Sequence, residues 1–215
     1  MVNELVVNQS KEFDTDLDQF NELVNIGFVL HNHICPAMPL GLRAGLVALK
    51  KLEIERAKNK ELSLIVENGP SHAALCFSDG LQVATGCTFG KGNISRTNEG
   101  KNAFTLIDNR TKRAVRISIN YSFFEGMLNS EFVQKRKAGI EPYNIDESIA
   151  LSAIQNMLKK NEEVIFSISD IFVVYPPKKQ GTFNYSQCEE CSEPIFESGL
   201  RKKDNRILCQ KCSGY

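Results

Sequence analysis

The chain carries no excess charge of either sign: 26 Lys and Arg stand against 26 Asp and Glu in 215 residues. Bulk binding of nucleic acid needs a basic field, so this balance argues against that class of partner. Long apolar runs are also lacking. The longest, Ala37 to Leu49, is interrupted by Pro39 and Arg43 and falls short of the roughly 20 residues a membrane-spanning helix needs. The opening residues, Met1-Val2-Asn3-Glu4, have no basic region leading into an apolar stretch, so no signal peptide and a cytoplasmic location are expected. No internal repeat and no low-complexity segment is found. What remains, 42% hydrophobic residues, suits one substantial folded domain with a small appendage.

Cysteine is where the sequence is rich. Cys188-Glu-Glu-Cys191 and Cys209-Gln-Lys-Cys212 are two CxxC knuckles separated by seventeen residues. Each knuckle grips one face of a tetrahedral ion, so Cys188, Cys191, Cys209 and Cys212 predict a closed structural zinc site with no open position for substrate. A reducing cytoplasm argues against disulfides, and the ribbon spacing argues against a redox CxxC. The basic residues of this tail, Arg201 to Lys203 among them, are offset by nearby Glu and Asp.

Upstream, Asp14 to Asp18 reads as an acidic cap, and Leu17, Phe20, Val24 and Phe28 then recur at helical spacing. This helix delivers His31. A turn through Cys35-Pro36 follows, and Pro39 suits the first turn of a second helix running to about Glu53. Gly41 and Gly45 leave a smooth strip on that helix where another backbone can come close. Residues 62–67 read as a strand and 75–84 as a short helix stopped by Gly86. Residues 103–107 and 114–120 read as a hairpin, and 129–138 and 146–160 as helices. The β-branched run from Val164 to Tyr175 reads as a central or dimer-facing strand. The expected fold is α+β: a mixed helix and sheet domain over residues 1–177, a linker over 178–187 and a zinc ribbon over 188–215.

The remaining cysteines and all three histidines lie between positions 31 and 87: His31, His33, Cys35, His72, Cys76 and Cys87. Imidazole and thiolate are the donors that zinc and similar transition metals take, so this is a candidate second metal site. If the 75–84 helix runs on by a turn, Cys76, Asp79, Val83 and Cys87 share one stripe. Cys76 then sits at a helix N-terminus, where the dipole favours thiolate. Taken alone it reads as a small buried hydrophobe; beside His31, His33 and Cys35 it reads as part of a site. The turn Gly86 to Asn93, with Gly90, Lys91 and Gly92 at its tip, departs from the phosphate-loop pattern. It leaves open an anion subsite or a plain glycine turn.

These motifs have a familiar order. His31-Asn-His33-Ile-Cys35-Pro36, Pro39-Leu-Gly41-Leu-Arg43-Ala44, Cys76-Phe-Ser-Asp79-Gly-Leu-Gln82 and Thr85-Gly-Cys87-Thr-Phe-Gly90-Lys91-Gly92-Asn93 together resemble the FmdE family of formylmethanofuran dehydrogenase proteins over roughly residues 14 to 175. The family pattern has glycine at Asn32 and Ala37 and alanine at Gly80. The tail resembles a DksA/TraR-type zinc finger. The resemblance implies an α+β domain with a metal pocket lined by the His and Cys motifs, a homodimer, and association with the other subunits of a molybdenum or tungsten formylmethanofuran dehydrogenase. Formyl oxidation needs a pterin-bound metal or an iron-sulfur relay, and the main domain has no closely spaced run of four cluster cysteines. Redox catalysis is therefore expected in partner subunits.

Two functional readings result. The first is a metal-binding accessory protein, with structural Zn2+ in the ribbon and a second transition metal, zinc in the first instance, upstream. Three protein ligands plus water there would accept a small ligand. The second is a stand-alone enzyme acting on a small anionic or acyl substrate. In it Cys76 or Cys35 is the nucleophile, with His31, His33 or His72 as base.

Overall fold

The computed structural model describes residues 17–70, 75–175 and 183–214. The chain divides into two compact units, Met1–Pro176 and Pro177–Tyr215. The first begins with helices α1 (Leu17–His31) and α2 (Ala37–Leu52). In α2 every residue from Met38 to Leu49 is buried, which fits a helix apolar all round and marks it as the axis of the core. It packs on α3 (Leu75–Thr85) and α1, and touches strands β3 (Ala103–Asp108) and β4 (Arg113–Ile119).

The sheet runs in the order β2-β1-β3-β4-β5, where β1 is Leu62–Val66, β2 is Ile94–Arg96 and β5 is Phe166–Ile168. β1 and β2 are parallel and connected through α3, whereas β1, β3, β4 and β5 pair antiparallel in sequence. Alternation in β1 turns Leu62, Leu64 and Val66 inward, as a half-buried strand requires. Helices α4 (Tyr121–Leu128), α5 (Glu131–Lys137) and α6 (Glu147–Leu158) follow β4. Ser130 caps α5 and Asp146 caps α6 through side-chain oxygens.

Arg43 joins α2 to the end of α6. Its guanidinium, buried with the residue 2% exposed, donates to the carbonyls of Met157 at 2.8 Å and Lys160 at 2.7 Å. A cation there caps the Lys160 carbonyl, adds a second donor to the Met157 carbonyl, which also accepts from the Lys160 amide, and complements the helix dipole.

Two features differ from the sequence-based expectation. The run Val164 to Tyr175 is not one strand and not central. It splits into α7 (Glu162–Ile165), β5 and β6 (Phe172–Val173), the last two both pairing with β4 at the sheet's edge. Ser169 and Asp170 break it, the Ser169 hydroxyl accepting from the Arg116 amide and donating to the Asp170 carbonyl. β-branched composition alone does not fix a strand's place in a sheet. Second, Tyr185–Gln187, assigned to the linker by sequence, forms β7 and pairs with β8 (Pro194–Phe196).

The second unit adds a hairpin of β9 (Leu200–Lys203) and β10 (Arg206–Cys209), ending in α8 (Gln210–Ser213). Among the described residues its buried apolar cluster is Cys188, Ile195 and Leu208, with Leu200, Cys209 and Cys212 packed against it. A core this small gives little to hold a fold without a further link.

Candidate metal centres

The first centre is assembled by the packing of α2 on α3. A Cβ added at Gly41 would lie 2.0 Å from the Phe77 carbonyl oxygen, one at Gly80 2.0 Å from that of Met38, and one at Gly45 2.5 Å from the Ala84 Cβ. Cys35 lies beside Cys76 at one end of this contact and Gly45 meets Ala84 at the other, so α2 and α3 run parallel with their N-termini at the same end. Cys35 immediately precedes α2's first turn, and Cys76 is the second residue of α3. Close helix packing thereby sets the two thiols side by side.

The histidines arrive from α1. His31 is its last residue, and Asn32 then takes a left-handed conformation (φ 59°). Asparagine tolerates that region better than most residues. The reversal folds His33 back, so the two rings lie 4.0 Å apart between centroids.

One donor atom from each of His31, His33, Cys35 and Cys76 lies within 4.8 Å of the others. His31 Nε2 is 3.1 Å from His33 Nε2 and 3.5 Å from Cys35 Sγ. A tetrahedral zinc with ordinary bond lengths has edges of about 3.3 Å between nitrogens and about 3.6 Å between nitrogen and sulfur. His31 Nδ1 meets Asp79 Oδ2 at 2.7 Å, and Gln82 Nε2 donates to Asp79 Oδ1 at 3.2 Å. The carboxylate fixes the ring so that Nε2 faces the cluster, the usual arrangement behind a metal-binding histidine. The donor set and its spacing fit a transition-metal ion.

Without an ion the protons are unevenly shared. Burial opposes a charge on His31, but hydrogen bonds to Asp79 and Cys76 overcome it and raise the ring to about 9. Burial and the neighbouring His31 charge lower His33. The Cys35 thiol, hydrogen-bonded to Cys76, and then the two imidazoles bring Cys76 down to about 4 against the effect of burial. Cys35 is pushed well up by that same bond and by burial. Loading an ion on all four donors requires Cys35 and His31 to give up protons.

The other upstream candidates lie apart or elsewhere. Cys87 is not in the cluster: α3 stops at Thr85, Gly86 is left-handed (φ 69°) against the Ala57 carbonyl, and Cys87 is fully buried. Burial pushes its thiol up to about 11, which suits an inert core cysteine. Asp79, placed by sequence on the Cys76 stripe without a role, proves to be the His31 partner. In the glycine turn, Lys91 Nζ donates to the Ala57 carbonyl, the Lys91 amide to Thr88 Oγ1 and the Gly92 amide to the Phe89 carbonyl. These three donors are already engaged, and Gly90 immediately precedes them in the turn. His72 lies outside the described residues.

The second centre groups Cys188, Cys191, Cys209 and Cys212, again within 4.8 Å of one another. Ser192 is left-handed (φ 63°) and closes the first knuckle. The Cys209 amide points at Cys188 Sγ at 3.3 Å and the Cys212 amide at Cys209 Sγ at 3.4 Å, as amides of a thiolate knuckle do. Backbone amides, that of Cys191 foremost, bring Cys188 down to about 6, while Cys209 pushes Cys212 up to about 12.

The sequence profile of the FmdE family, described as "Molybdenum formylmethanofuran dehydrogenase operon", matches residues 30–167, a span that holds the whole His/Cys cluster. The chain belongs to the FmdE family. It is 30% identical over 199 residues to a "Probable S-adenosyl-L-methionine-binding protein" of Archaeoglobus fulgidus, covering 86% of this chain and 50% of that protein. The chain thus spans about half the length of that curated relative. Among solved structures it is similar to a tungsten formylmethanofuran dehydrogenase FmdE-like protein from Syntrophus aciditrophicus, with a TM-score of 0.59 and 19% identity over 91% of this chain and 92% of that one. That likeness establishes the α+β fold of the FmdE domain. Among the described residues no helix is long and apolar enough to cross a membrane.

Proposed function

We propose that this FmdE protein is a metal-binding accessory protein carrying two ions: a transition metal, zinc in the first instance, on His31, His33, Cys35 and Cys76, and a structural zinc on the four ribbon cysteines. The observation that carries the reading is the convergence of two imidazoles and two thiols at metal-ligand spacing, with Asp79 orienting one of the rings. Four protein donors make a closed site, which suits holding or presenting an ion better than activating a substrate. When bound, the ion would supply a fixed charge that keeps both thiols as thiolates. Asp79 orients His31, and the start of α2 aims the Ala37 and Met38 amides at Cys35.

The finer expectations join this proposal. The protein works as a homodimer in the cytoplasm beside the other subunits of a molybdenum or tungsten formylmethanofuran dehydrogenase, which carry the redox step. A second reading draws on Cys76, which is only partly buried: a thiol nucleophile, with a neighbouring imidazole as base, acting on a small acyl or anionic substrate.

Elemental mass spectrometry of metal per chain tests both. The native protein should hold two ions, Cys188→Ser/Cys191→Ser one, and Cys35→Ser/Cys76→Ser one. A native protein with one ion, and none after the ribbon substitution, would sink the upstream metal site and leave the thiol reading standing. Alkylation of Cys76 that is blocked by the ion supports the first reading; alkylation indifferent to it supports the second.

A further inference from the structure

Helix α4 has the composition of a core helix without the burial. Phe123, Phe124, Met127 and Leu128 are not fully buried, and neither is any other residue of α4. Between it, the start of α2 and α6 lies a cavity of about 410 Å³. It is a pocket half open to solvent, with Ser122, Gly126 and Asn156 exposed along it, so a ligand can enter without any rearrangement of the helices. The volume falls within the range of about 300–1,000 Å³ common for small-molecule sites.

The lining says what the occupant is. Leu40, Phe123, Met127, Met157 and Val164 supply apolar wall, and the two methionines give it adaptability. Lys160 is the one ionisable residue among those that line it. It is exposed at the rim, one turn beyond Asn156. Pro36, the residue after Cys35, closes another side. We propose that this cavity binds an amphipathic organic carboxylate, its apolar body between α4 and α6 and its carboxylate at Lys160. The site is independent of whether the neighbouring cluster holds a metal. Its placement puts the ligand one residue along the chain from a cluster thiol.

Isothermal titration of the full-length, metal-replete protein with octanoate, and with 1-octanol as the uncharged control, tests this. Gly126→Phe fills the cavity from α4, where an added Cβ meets nothing within 4 Å, and Ala153→Met fills it from α6. Octanoate should bind saturably and tighter than octanol. Each filling variant should weaken it by about tenfold or more, on the scale of a lost apolar pocket. Lys160→Gln should weaken octanoate by about threefold, as expected for an exposed charge pair, and leave octanol unchanged. Absence of saturable octanoate binding, or wild-type affinity in both filling variants, would overturn the site. Equal affinity for octanol and octanoate would overturn the carboxylate assignment.

Discussion

Replacing Gly41 by alanine adds one methyl group, and the structure sets its cost. The new Cβ would stand 2.0 Å from the Phe77 carbonyl oxygen and 2.8 Å from its carbon. An ordinary carbon-oxygen contact needs about 3.2 Å, so α2 and α3 must separate or slide by about 1 Å, since a backbone carbonyl cannot swing aside as a side chain can. Overpacking of this kind costs about 1–3 kcal/mol. The same shift acts on Cys35 and Cys76, which sit at matching ends of the two helices, whereas metal-ligand distances tolerate only about 0.2 Å. Gly41→Ala should therefore lose the ion of the His/Cys cluster and retain that of the ribbon, which lies in a separate unit. Metal content per chain, read beside the thermal midpoint, checks this. Should the variant fail to fold, Gly45→Ala, whose Cβ would meet the Ala84 side chain at 2.5 Å, applies a milder version of the same push. Two ions retained at unchanged affinity in both variants would refute the link between helix packing and the site.

Asp79→Asn keeps the shape but replaces the carboxylate that holds His31, and should lower metal affinity at the cluster by about 10–100-fold, measured by competition with a chromophoric chelator. Arg43→Met removes the guanidinium from the Met157 and Lys160 carbonyls, the first of which keeps the Lys160 amide as donor, and should cost about 1–3 kcal/mol in urea denaturation. Asp108 is buried, which alone would raise its pKa, but the Arg110 amide, the Thr111 hydroxyl and the Arg110 guanidinium hold it below its ordinary value of 3.8. A carboxylate lower in the folded than in the unfolded state stabilises the fold above pH about 4 and loses that contribution as pH falls through the folded value. The stability gap between wild type and Asp108→Asn should accordingly be full at pH 6 and shrink below pH 4, and a gap unchanged with pH would refute the assignment.

Periodicity exposed the helices that bury one clear stripe. Leu17, Phe20, Val24 and Phe28 predicted α1, and it ends at His31 as expected. The hairpin of residues 103–120 was legible because a polar run separates two apolar ones. Helix α4 was not, since Tyr121-Ser-Phe-Phe-Glu-Gly-Met-Leu128 is too short to display a period and carries a glycine. Gly41 and Gly45 announced a close approach but not its partner; that α3 answers with Gly80, running parallel, is a tertiary fact. The donor types of the cluster were legible and their membership was not. Cys87 falls on the helical stripe only if the helix continues, and the left-handed Gly86 ends it. The role of Asp79 was present only as its spacing of three from Cys76.

The small core among the ribbon's described residues has a consequence for a cell short of metal. The helices around His31 and Cys76 are held by their own packing, so on the proposed reading two thiols and two imidazoles would stay in position when the ion leaves. With the ion proposed above on its four cysteines, the tail would have no such reserve, because that ion would supply the folding free energy. Scarcity would then shorten the folded part of the chain, turning the ribbon into a charge-balanced, thiol-bearing strand that a protease or oxidant can reach.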